Sequence, residues 1–250
     1  MSRETDLKTV PHTLLKSKRI LLKLSGEMLL GESAFGIDQV ACLKVAKAIQ
    51  ALRDGGNEIG IVIGGGNIFR GIALQDLGLA RSPADQMGML ATIMNGIALE
   101  QALEKIGCPT KVLSALECPR VVESYTWKSA IENLSQGKVV VFVGGTGNPF
   151  FSTDTAAAMR ASEIQAEVFL KATKVDGIYD KDPLKHPSAL KYTSLTYEKV
   201  LQDNLGVMDA TSIALCRSNQ IPILVFNMKE LFSGKSLTSL LQEFQGTIVS

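Results

Sequence analysis

The chain is 250 residues long, and its 26 Lys and Arg against 25 Asp and Glu leave a formal net charge of +1. The hydrophobic share of 46% excludes an intrinsically disordered chain, and the balanced charge gives no reason to expect a nucleic acid or a membrane as partner. The 4 cysteines are scattered, without a CxxC pair, so we predict isolated thiols in a reducing compartment.

The first 18 residues mix basic and acidic side chains with few apolar neighbours. They lack the apolar core of a secretion signal, and no apolar run in the sequence approaches the length of a membrane span. We therefore interpret residues 1–18 as a flexible leader, residues 19–250 as a single domain, and the protein as cytoplasmic.

Short apolar runs alternate with segments of helical spacing along the rest of the chain. The runs are aliphatic or β-branched without clean alternation, which is typical of strands whose two faces are covered by helices. Helical spacing over residues 40–52, with Asp38 as N-cap, and over residues 85–106 separates them. This order predicts an α/β fold with a parallel sheet. The predicted strands are Ile20–Leu24, Ile59–Ile63, Val139–Val143, Ile221–Phe226 and the shorter Val168–Leu170.

Glycine-rich loops follow three of these strands, at residues 25–26, 64–66 and 144–147. Ligands of open α/β sheets bind at the carboxyl ends of the strands, so the three loops predict one shared site. The triple glycine lets backbone N–H groups approach phosphate oxygens closely, and Arg70 is near enough to reach the same anion. A tight turn followed by a solvated arginine is the alternative interpretation.

The loop after Val143 combines hydroxyls, an amide and two aromatic rings, which suits a phosphate, a ribose and a base. Phe150 and Phe151, each taken alone, are more typical of core residues. Thr153 or Asp154 is a natural N-cap for the next helix, so Asp154 is structural, catalytic or both. Lys23 ends the first strand, and we interpret it as a point charge for a transferring phosphoryl group.

The loop after Leu170 contains two turn signals, Asp-Gly and Asp-Pro. Thr173, Tyr179 and Asp182 supply hydrogen bonds, a flat wall and a carboxylate, which is the composition of an adenosine pocket. A solvated charged loop is the alternative.

Taken together, these loops resemble the bacterial UMP kinases of the amino acid kinase superfamily from Arg19 to Val249. The resemblance implies a three-layer αβα sandwich around a mainly parallel sheet, with an N-terminal acceptor-binding part and a C-terminal ATP-binding part. It implies a homohexamer that uses ATP with Mg²⁺ to convert UMP to UDP for pyrimidine nucleotide synthesis, with UTP as an inhibitor. The matching stretches are RILLKLSGE, VIGGGNIFRG, QMGMLATIMNGIALE, GTGNPFFSTD and KATKVDGIYDKDP.

The resemblance also implies roles for individual residues, and it assigns no protein side chain confidently to the metal. Catalytic roles fall to Lys23, Arg70 and Asp154. ATP-binding roles fall to Lys23, Leu24, Ser25, Gly26, Gly66, Arg70, Thr173, Tyr179 and Asp182. UMP-binding roles fall to Gly65, Asp85, Thr146, Gly147, Asn148, Pro149, Phe150, Phe151, Ser152 and Thr153. The segment that takes part in GTP activation in the family matches Gly31, Glu32, Ser33, Ala34, Phe35 and Gly36.

Two departures from the family concern Gln86, where a His is common, and the acidic Glu100 and Glu104, where some GTP-activated members carry basic residues. An acidic face is a poor GTP site, which argues against GTP activation. Two alternatives stay open: a kinase that forms acyl phosphates on amino acids or carbamate, and a non-catalytic protein that binds nucleotides or oxyanions. The acceptor loop argues against the first, and the presence of Lys23, Arg70 and Asp85 argues against the second.

A phosphate acceptor is already anionic at neutral pH, so the reaction needs charge stabilisation more than a general base. We expect Lys23, Mg²⁺ and the N–H groups of the glycine loops to supply that stabilisation. Asp154 would orient the lysines, Arg70 would hold a phosphate, and Asp85 would accept hydrogen bonds from the ribose hydroxyls.

Overall fold

The computed structural model of the chain describes residues 10–69 and 78–250. The described strands are β1 (Arg19–Leu24), β2 (Glu58–Ile63), β3 (Thr110–Ser114), β4 (Glu123–Ser124), β5 (Val139–Val143), β6 (Val168–Thr173), β7 (Ile178–Tyr179), β8 (Lys191–Tyr192), β9 (Ser194–Leu195), β10 (Ile223–Asn227) and β11 (Thr247–Val249). The described α-helices are α1 (His12–Leu15), α2 (Gln39–Asp54), α3 (Arg81–Lys105), α4 (Trp127–Ser135), α5 (Thr153–Glu163), α6 (Tyr197–Gln202), α7 (Ala210–Ser218) and α8 (Leu237–Gln242). Two 3₁₀ helices lie at Gly26–Leu29 and Met228–Ser233.

The main sheet has the strand order β4-β3-β5-β2-β1-β6-β10-β11-β9. Its pairs are parallel except for the antiparallel pair of β10 and β11, and β7 and β8 form a separate antiparallel hairpin. The predicted α/β class with a mainly parallel sheet is therefore confirmed, and every predicted strand is present. The order places β1 at the centre, between β2 and β6, so the residues that follow these three strands meet at one edge.

Side chains alternate between two apolar layers, one on each face of the sheet. Ile20 and Leu22 of β1 are buried with α2, α3 and α8, whereas Leu21 is buried with the small residues of α5. A methyl group at Gly60 would lie 2.8 Å from Ile164 Cδ1 and 2.9 Å from Phe142 Cε2. Gly60 and the buried alanines of α5 thus let this helix pack close to the sheet, which brings its N-terminus to the carboxyl edge of β1. Helices on both faces confirm the three-layer αβα sandwich.

The helix boundaries follow local capping chemistry. The carboxylate of Asp38 accepts a hydrogen bond from the Ala41 N–H at 2.7 Å, which confirms the predicted N-cap of α2. The predicted helix at 85–106 is α3, which begins four residues earlier, at Arg81. None of the described helices is long and apolar enough to cross a lipid bilayer.

The N-terminal segment corrects one prediction. Residues 10–18 are part of the folded domain, because α1 packs against α8 and Leu14 is buried. The side chain of Asn57 donates a hydrogen bond to the Ser17 carbonyl at 2.7 Å and fastens the segment further. The predicted flexible leader over 1–18 is therefore wrong for residues 10–18, and residues 1–9 lie outside the described range.

Candidate active site

Two lysines lie side by side at the carboxyl edge of the sheet. Lys23 of β1 is paired in register with Lys171 of β6, and both side chains face α5 because they alternate with residues of the opposite layer. Asp154, in the first turn of α5, lies between them. Its Oδ1 is 2.9 Å from Lys23 Nζ, and its Oδ2 is 2.5 Å from Lys171 Nζ. All three side chains are at most 14% exposed, so the ion pairs are sheltered from water. We call these three residues the Lys–Asp–Lys cluster.

The protonation states follow from this arrangement. Burial alone raises the pKa of Asp154, but the charges of Lys171 and Lys23 outweigh it and hold the pKa below its ordinary value. Burial lowers the pKa of Lys171. The negative charge of Asp154 raises it and the positive charge of Lys23 lowers it, and the net result is a pKa below the ordinary value. Asp154 is therefore an anion at neutral pH with both oxygens engaged, and it is poorly suited to accept a proton during catalysis.

Ser152 begins helix α5, in place of the predicted caps Thr153 and Asp154. Its Oγ accepts hydrogen bonds from the N–H groups of Asp154 at 3.0 Å and Thr155 at 3.1 Å, because Ser152 is the last extended residue before the helix. The carboxylate of Asp154 is thereby released for the two lysines. The positive end of the α5 dipole points at the same region, which favours an anionic ligand there.

Asp209 fixes the start of α5 from the side. Its Oδ2 accepts a hydrogen bond from Ser152 Oγ at 2.5 Å, and its Oδ1 accepts one from Thr155 Oγ1 at 2.7 Å. The same carboxylate caps α7 through the Ser212 N–H at 3.0 Å. Burial raises the pKa of Asp209, but the hydrogen bonds from Ser152 and Thr155 outweigh it and lower the pKa. Asp209 therefore ties two helix N-termini together at the site.

The glycine loops after β1 and β2 pack directly on each other. A methyl group at Gly26 would lie 2.4 Å from the Gly64 carbonyl oxygen, so this close approach requires glycine. Gly65 packs on α3, where a methyl group would lie 2.7 Å from the Gly88 carbonyl oxygen. At Gly66, in contrast, no described residue lies within 4 Å of where a methyl group would go.

A cavity of about 160 Å³ lies between the triple glycine, the start of α3 and the loop after β5. The residues predicted for UMP that line this cavity are Gly65, Asp85, Thr146, Asn148, Phe151, Ser152 and Thr153; Gly66, predicted for ATP, lines it as well. The alternative interpretation of Phe150 and Phe151 as core residues is wrong, because their exposures are 64% and 50%. Gly147, Pro149 and Phe150 belong to the same loop and shape its turns.

Asp85 connects α3 to this loop. Its carboxylate accepts hydrogen bonds from Arg81 Nε at 2.8 and 2.9 Å and from the Phe150 N–H at 2.7 Å. Phe150 has a positive φ of 72°, a conformation that costs a non-glycine residue about 1–3 kcal/mol. The bond from Asp85 holds this strained turn in place at the rim of the cavity.

A second cavity, of about 530 Å³, lies beside β6, and Lys171, Thr173, Tyr179 and Asp182 are among its lining residues. Tyr179 Oη donates a hydrogen bond to Asp176 Oδ1 at 2.6 Å, and this bond raises the pKa of Tyr179 to about 12. The tyrosine therefore stays neutral and presents its ring as a fixed wall. Lys171 lines this cavity and pairs with Asp154, and the neighbour of Asp154, Thr153, lines the first cavity. The Lys–Asp–Lys cluster therefore lies between the two cavities.

The other predicted residues are distributed as follows. Ser25 Oγ accepts a hydrogen bond from the Glu27 N–H at 3.3 Å and caps the 3₁₀ helix, while the Leu24 side chain lies in the core and only its backbone reaches the site. Arg70 lies outside the described residues.

The segment from Gly31 to Gly36 stands away from the two cavities described above. Gly31, Glu32 and Ser33 help to line a separate cavity of about 610 Å³ beside α2. Ala34 and Phe35 are exposed, Phe35 to 79%.

Lys171 and Asp209 are the two site residues that the sequence interpretation missed. A signal for Lys171 was available, since it follows an apolar strand in the same way as Lys23. Asp209 lies more than fifty positions from its partners Ser152 and Thr155, and no local pattern announces that contact.

An α/β sheet whose carboxyl edge carries two neighbouring cavities, with buried lysines and glycine loops beside them, is typical of an enzyme that brings two phosphorylated ligands together. The sequence model of the amino acid kinase family matches residues 18–227. The chain belongs to this family.

Two curated relatives show which members of the amino acid kinase family the chain is similar to. A uridylate kinase of Protochlamydia amoebophila is 61% identical over 232 residues, which are 93% of this chain and 92% of that protein. A uridylate kinase of Dichelobacter nodosus is 50% identical over 93% of this chain and 95% of that protein. The resemblance to bacterial UMP kinases, inferred from the motifs, is confirmed.

Solved structures agree with this relationship. The UMP kinase of Ureaplasma parvum superposes with a TM-score of 0.86 at 39% identity and covers 94% of this chain and 99% of its own. The UMP kinase of Bacillus anthracis superposes with a TM-score of 0.88 at 35% identity and covers 94% of this chain and 96% of its own.

Proposed function

We propose that the protein is a UMP kinase, which transfers the γ-phosphoryl group of ATP to UMP and so supplies UDP for pyrimidine nucleotide synthesis. The Lys–Asp–Lys cluster carries this proposal, because it lies where a donor in the cavity beside β6 and an acceptor in the cavity beside α3 would meet. The names and high identities of the relatives support the same substrates.

The cluster suits phosphoryl transfer between two anions. Two lysines and one aspartate leave one positive charge in a sheltered site, where it acts more strongly than in water. Asp154 holds both ammonium groups in place, and the N–H groups of the glycine loops and of the α5 N-terminus offer further donors to phosphate oxygens. The acceptor oxygen is itself an anion, so the reaction needs no general base.

The metal fits this scheme as part of the donor. Within residues 10–69 and 78–250, no group of three His, Cys, Asp or Glu side chains could hold a metal ion, and the oxygens of Asp154 are engaged by lysines. These residues fit a Mg²⁺ ion that arrives on the ATP phosphates and completes its coordination with water. When bound, the ion would neutralise part of the phosphate charge.

Acceptor selection would rest on the cavity beside α3. Asp85 reaches that cavity, and its carboxylate would accept from the ribose hydroxyls in place of the exposed Arg81 side chain, which binds it in the free protein. Polar groups of the loop at 146–153 would match the uracil edge, so a base with a different donor pattern would leave buried partners unpaired.

We further propose a homohexamer in the cytoplasm that UTP inhibits and GTP does not activate. Exposed apolar side chains on α2 and α3, among them Val40 at 73% and Met94 at 52% exposure, support an assembly. The uridine that UTP shares with UMP supports competition at the acceptor cavity. The acidic Glu100 and Glu104 on α3 support the absence of GTP activation.

The direct test is ATP consumption by the purified protein with Mg²⁺, with UMP, CMP, dUMP, glutamate, aspartate and carbamate offered in parallel. We expect turnover with UMP and little with the rest. Turnover with an acid would retain the ATP site and replace the acceptor, in favour of an acyl-phosphate kinase. Nucleotide binding without turnover on any acceptor would favour a non-catalytic binding protein.

A further inference from the structure

Two buried asparagines meet behind the glycine loops, at a place that the proposed reaction does not use directly. Asn67 follows the triple glycine and is 3% exposed, and Asn95 on α3 is 0% exposed. Asn95 Nδ2 donates to Asn67 Oδ1 at 2.7 Å, and Asn67 Nδ2 donates to Asn95 Oδ1 at 2.9 Å. We call this reciprocal arrangement the Asn pair.

The remaining N–H group of each amide binds a different loop. Asn95 donates to the carbonyl of Gly64, the first residue of the triple glycine, at 2.7 Å. Asn67 donates to the carbonyl of Gly36 at 2.8 Å, and the Gly36 N–H donates back to the Asn67 carbonyl, also at 2.8 Å. The amide donors of the Asn pair are thus fully used, and Asn67 clamps the end of the 31–36 segment on both sides.

The loop after β1 rests on the same pair. A methyl group at Gly26 would lie 2.3 Å from Asn67 Oδ1 and 3.0 Å from Asn95 Nδ2. One helical turn before Asn95, Thr92 Oγ1 accepts a hydrogen bond from the Gly144 N–H at 2.8 Å. Helix α3 therefore anchors the loops after β2 and β5 on one face, and the Asn pair links them to the loop after β1 and to the 31–36 segment.

We propose that Asn67 and Asn95 are positioning residues that set the triple-glycine loop against Lys23 and couple it to the 31–36 segment. The proposal rests on the proposed function, because it assigns the triple glycine to phosphate binding. A displacement of Gly36 would move Asn67, because two hydrogen bonds join the two residues. Asn67 would in turn move Asn95, which holds the Gly64 carbonyl.

The first test removes the Asn pair. Asn95→Ala should lower kcat by roughly 10–100-fold, because misplacing groups at the reacting centre by about 1 Å costs this much, while the KM for ATP should change little, since the cavity beside β6 does not touch the pair. Asn133→Ala is the matched control: Asn133 is a buried asparagine of α4 that donates to the Ser129 carbonyl at 2.7 Å. We expect it to lower the melting temperature comparably and leave kcat unchanged. Equal kinetic effects in both variants would overturn the positioning role.

The second test measures the coupling. Gly36 has a φ of +95° and open space where a methyl group would go, so Gly36→Ala perturbs the segment through its backbone alone. The variant should lower kcat/KM for UMP in the wild-type background and have little effect in the Asn67→Ala background. Independent, multiplicative effects would refute the coupling.

Amide hydrogen exchange tests the coupling between Gly36 and the triple-glycine loop independently of the proposed UMP kinase activity. Gly36→Ala should accelerate exchange over residues 64–69, and this readout needs no substrate. If the wild-type protein fails to phosphorylate UMP but exchange still responds, the proposed function fails and the coupling stands. If exchange over 64–69 is unchanged in Gly36→Ala, the coupling fails whatever the activity.

Discussion

Replacing Asp154 by asparagine tests the electrostatic account of the site most directly. The substitution preserves size and removes the charge between Lys23 and Lys171, whose side chains are 13% and 10% exposed. Removing one partner of a buried ion pair costs about 3–5 kcal/mol, because it leaves an uncompensated buried charge. For a domain of this size that corresponds to a melting temperature lower by roughly 6–20 °C.

The kinetic consequence is expected to be comparably large. Without Asp154 the ammonium groups repel each other and lose their common anchor, so we expect kcat to fall by about 10²-fold or more, as when a preorganised transition-state donor is lost. ATP should raise the melting temperature of Asp154→Asn more than that of the wild type, since phosphate oxygens would replace the missing carboxylate.

The assay is thermal unfolding with and without ATP, together with steady-state kinetics. Asp54→Asn is the matched control, because Asp54 also has a carboxylate side chain, which is exposed and forms a distant pair with Arg53 at 3.6 Å. A stability loss no larger than in Asp54→Asn, or an unchanged kcat, would refute the assignment of Asp154 as the anchor of the two lysines.

Three further predictions concern neighbouring groups. The lowered pKa of Lys171 means that it loses its proton at a lower pH than an ordinary lysine; kcat/KM for ATP should therefore fall on the alkaline side below about pH 10.4, and the fall should move to still lower pH in Asp154→Asn. Asp209→Asn should cost about 1.5–3 kcal/mol of stability through its bond with the Ser152 hydroxyl and should raise the KM for UMP; an unchanged KM would show that Asp209 only caps helices. Tyr179→Phe should leave the KM for ATP nearly unchanged, whereas Tyr179→Ala should raise it, and equal effects would show that the hydroxyl matters instead of the ring.

At acid pH, Asp154 determines how the stability of the fold depends on pH, whereas Lys171 acts at alkaline pH. Its folded-state pKa lies below the ordinary value, so its contribution to stability is complete above about pH 3.9 and disappears as the pH falls through the folded-state value. The same logic applies to Asp209, whose pKa is also lowered.

Sequence reasoning could place the sheet edge because strand ends and glycine loops are local patterns. It found Lys23 since a charged residue at the end of an apolar run is conspicuous. It missed Lys171 because the predicted strand ends at Leu170, so that the lysine was counted with the charged residues of the next loop. The structure places Lys171 inside β6, in register with Lys23. The N-cap of α5 was misassigned for a related reason: Ser152, Thr153 and Asp154 are all competent caps, and only the backbone conformation selects Ser152.

Long-range polar contacts are the second kind of feature that could not be predicted from the sequence. The Asn pair joins residues 28 positions apart, and Asn67 reaches Gly36, 31 positions away. Neither contact follows from periodicity, because a buried asparagine in an apolar helix resembles a tolerated surface residue until its partner is known. The N-terminal segment was misjudged similarly, since the burial of Leu14 depends on a distant helix, α8.

The geometry of a parallel sheet explains how a chain with a net charge of +1 can hold two polyanions. Parallel pairing puts residues 23 and 171 at the same level, and alternation turns both lysines towards α5, whose buried alanines face the sheet. Two adjacent buried ammonium groups are unfavourable by themselves, and the single carboxylate of Asp154 compensates only one of them. The cluster therefore keeps one uncompensated positive charge, and in the proposed function a phosphoryl group that passes between the two cavities would supply the missing negative charge. On this proposal, the local placement of the two lysines, independent of the overall charge, would give the site its preference for phosphate.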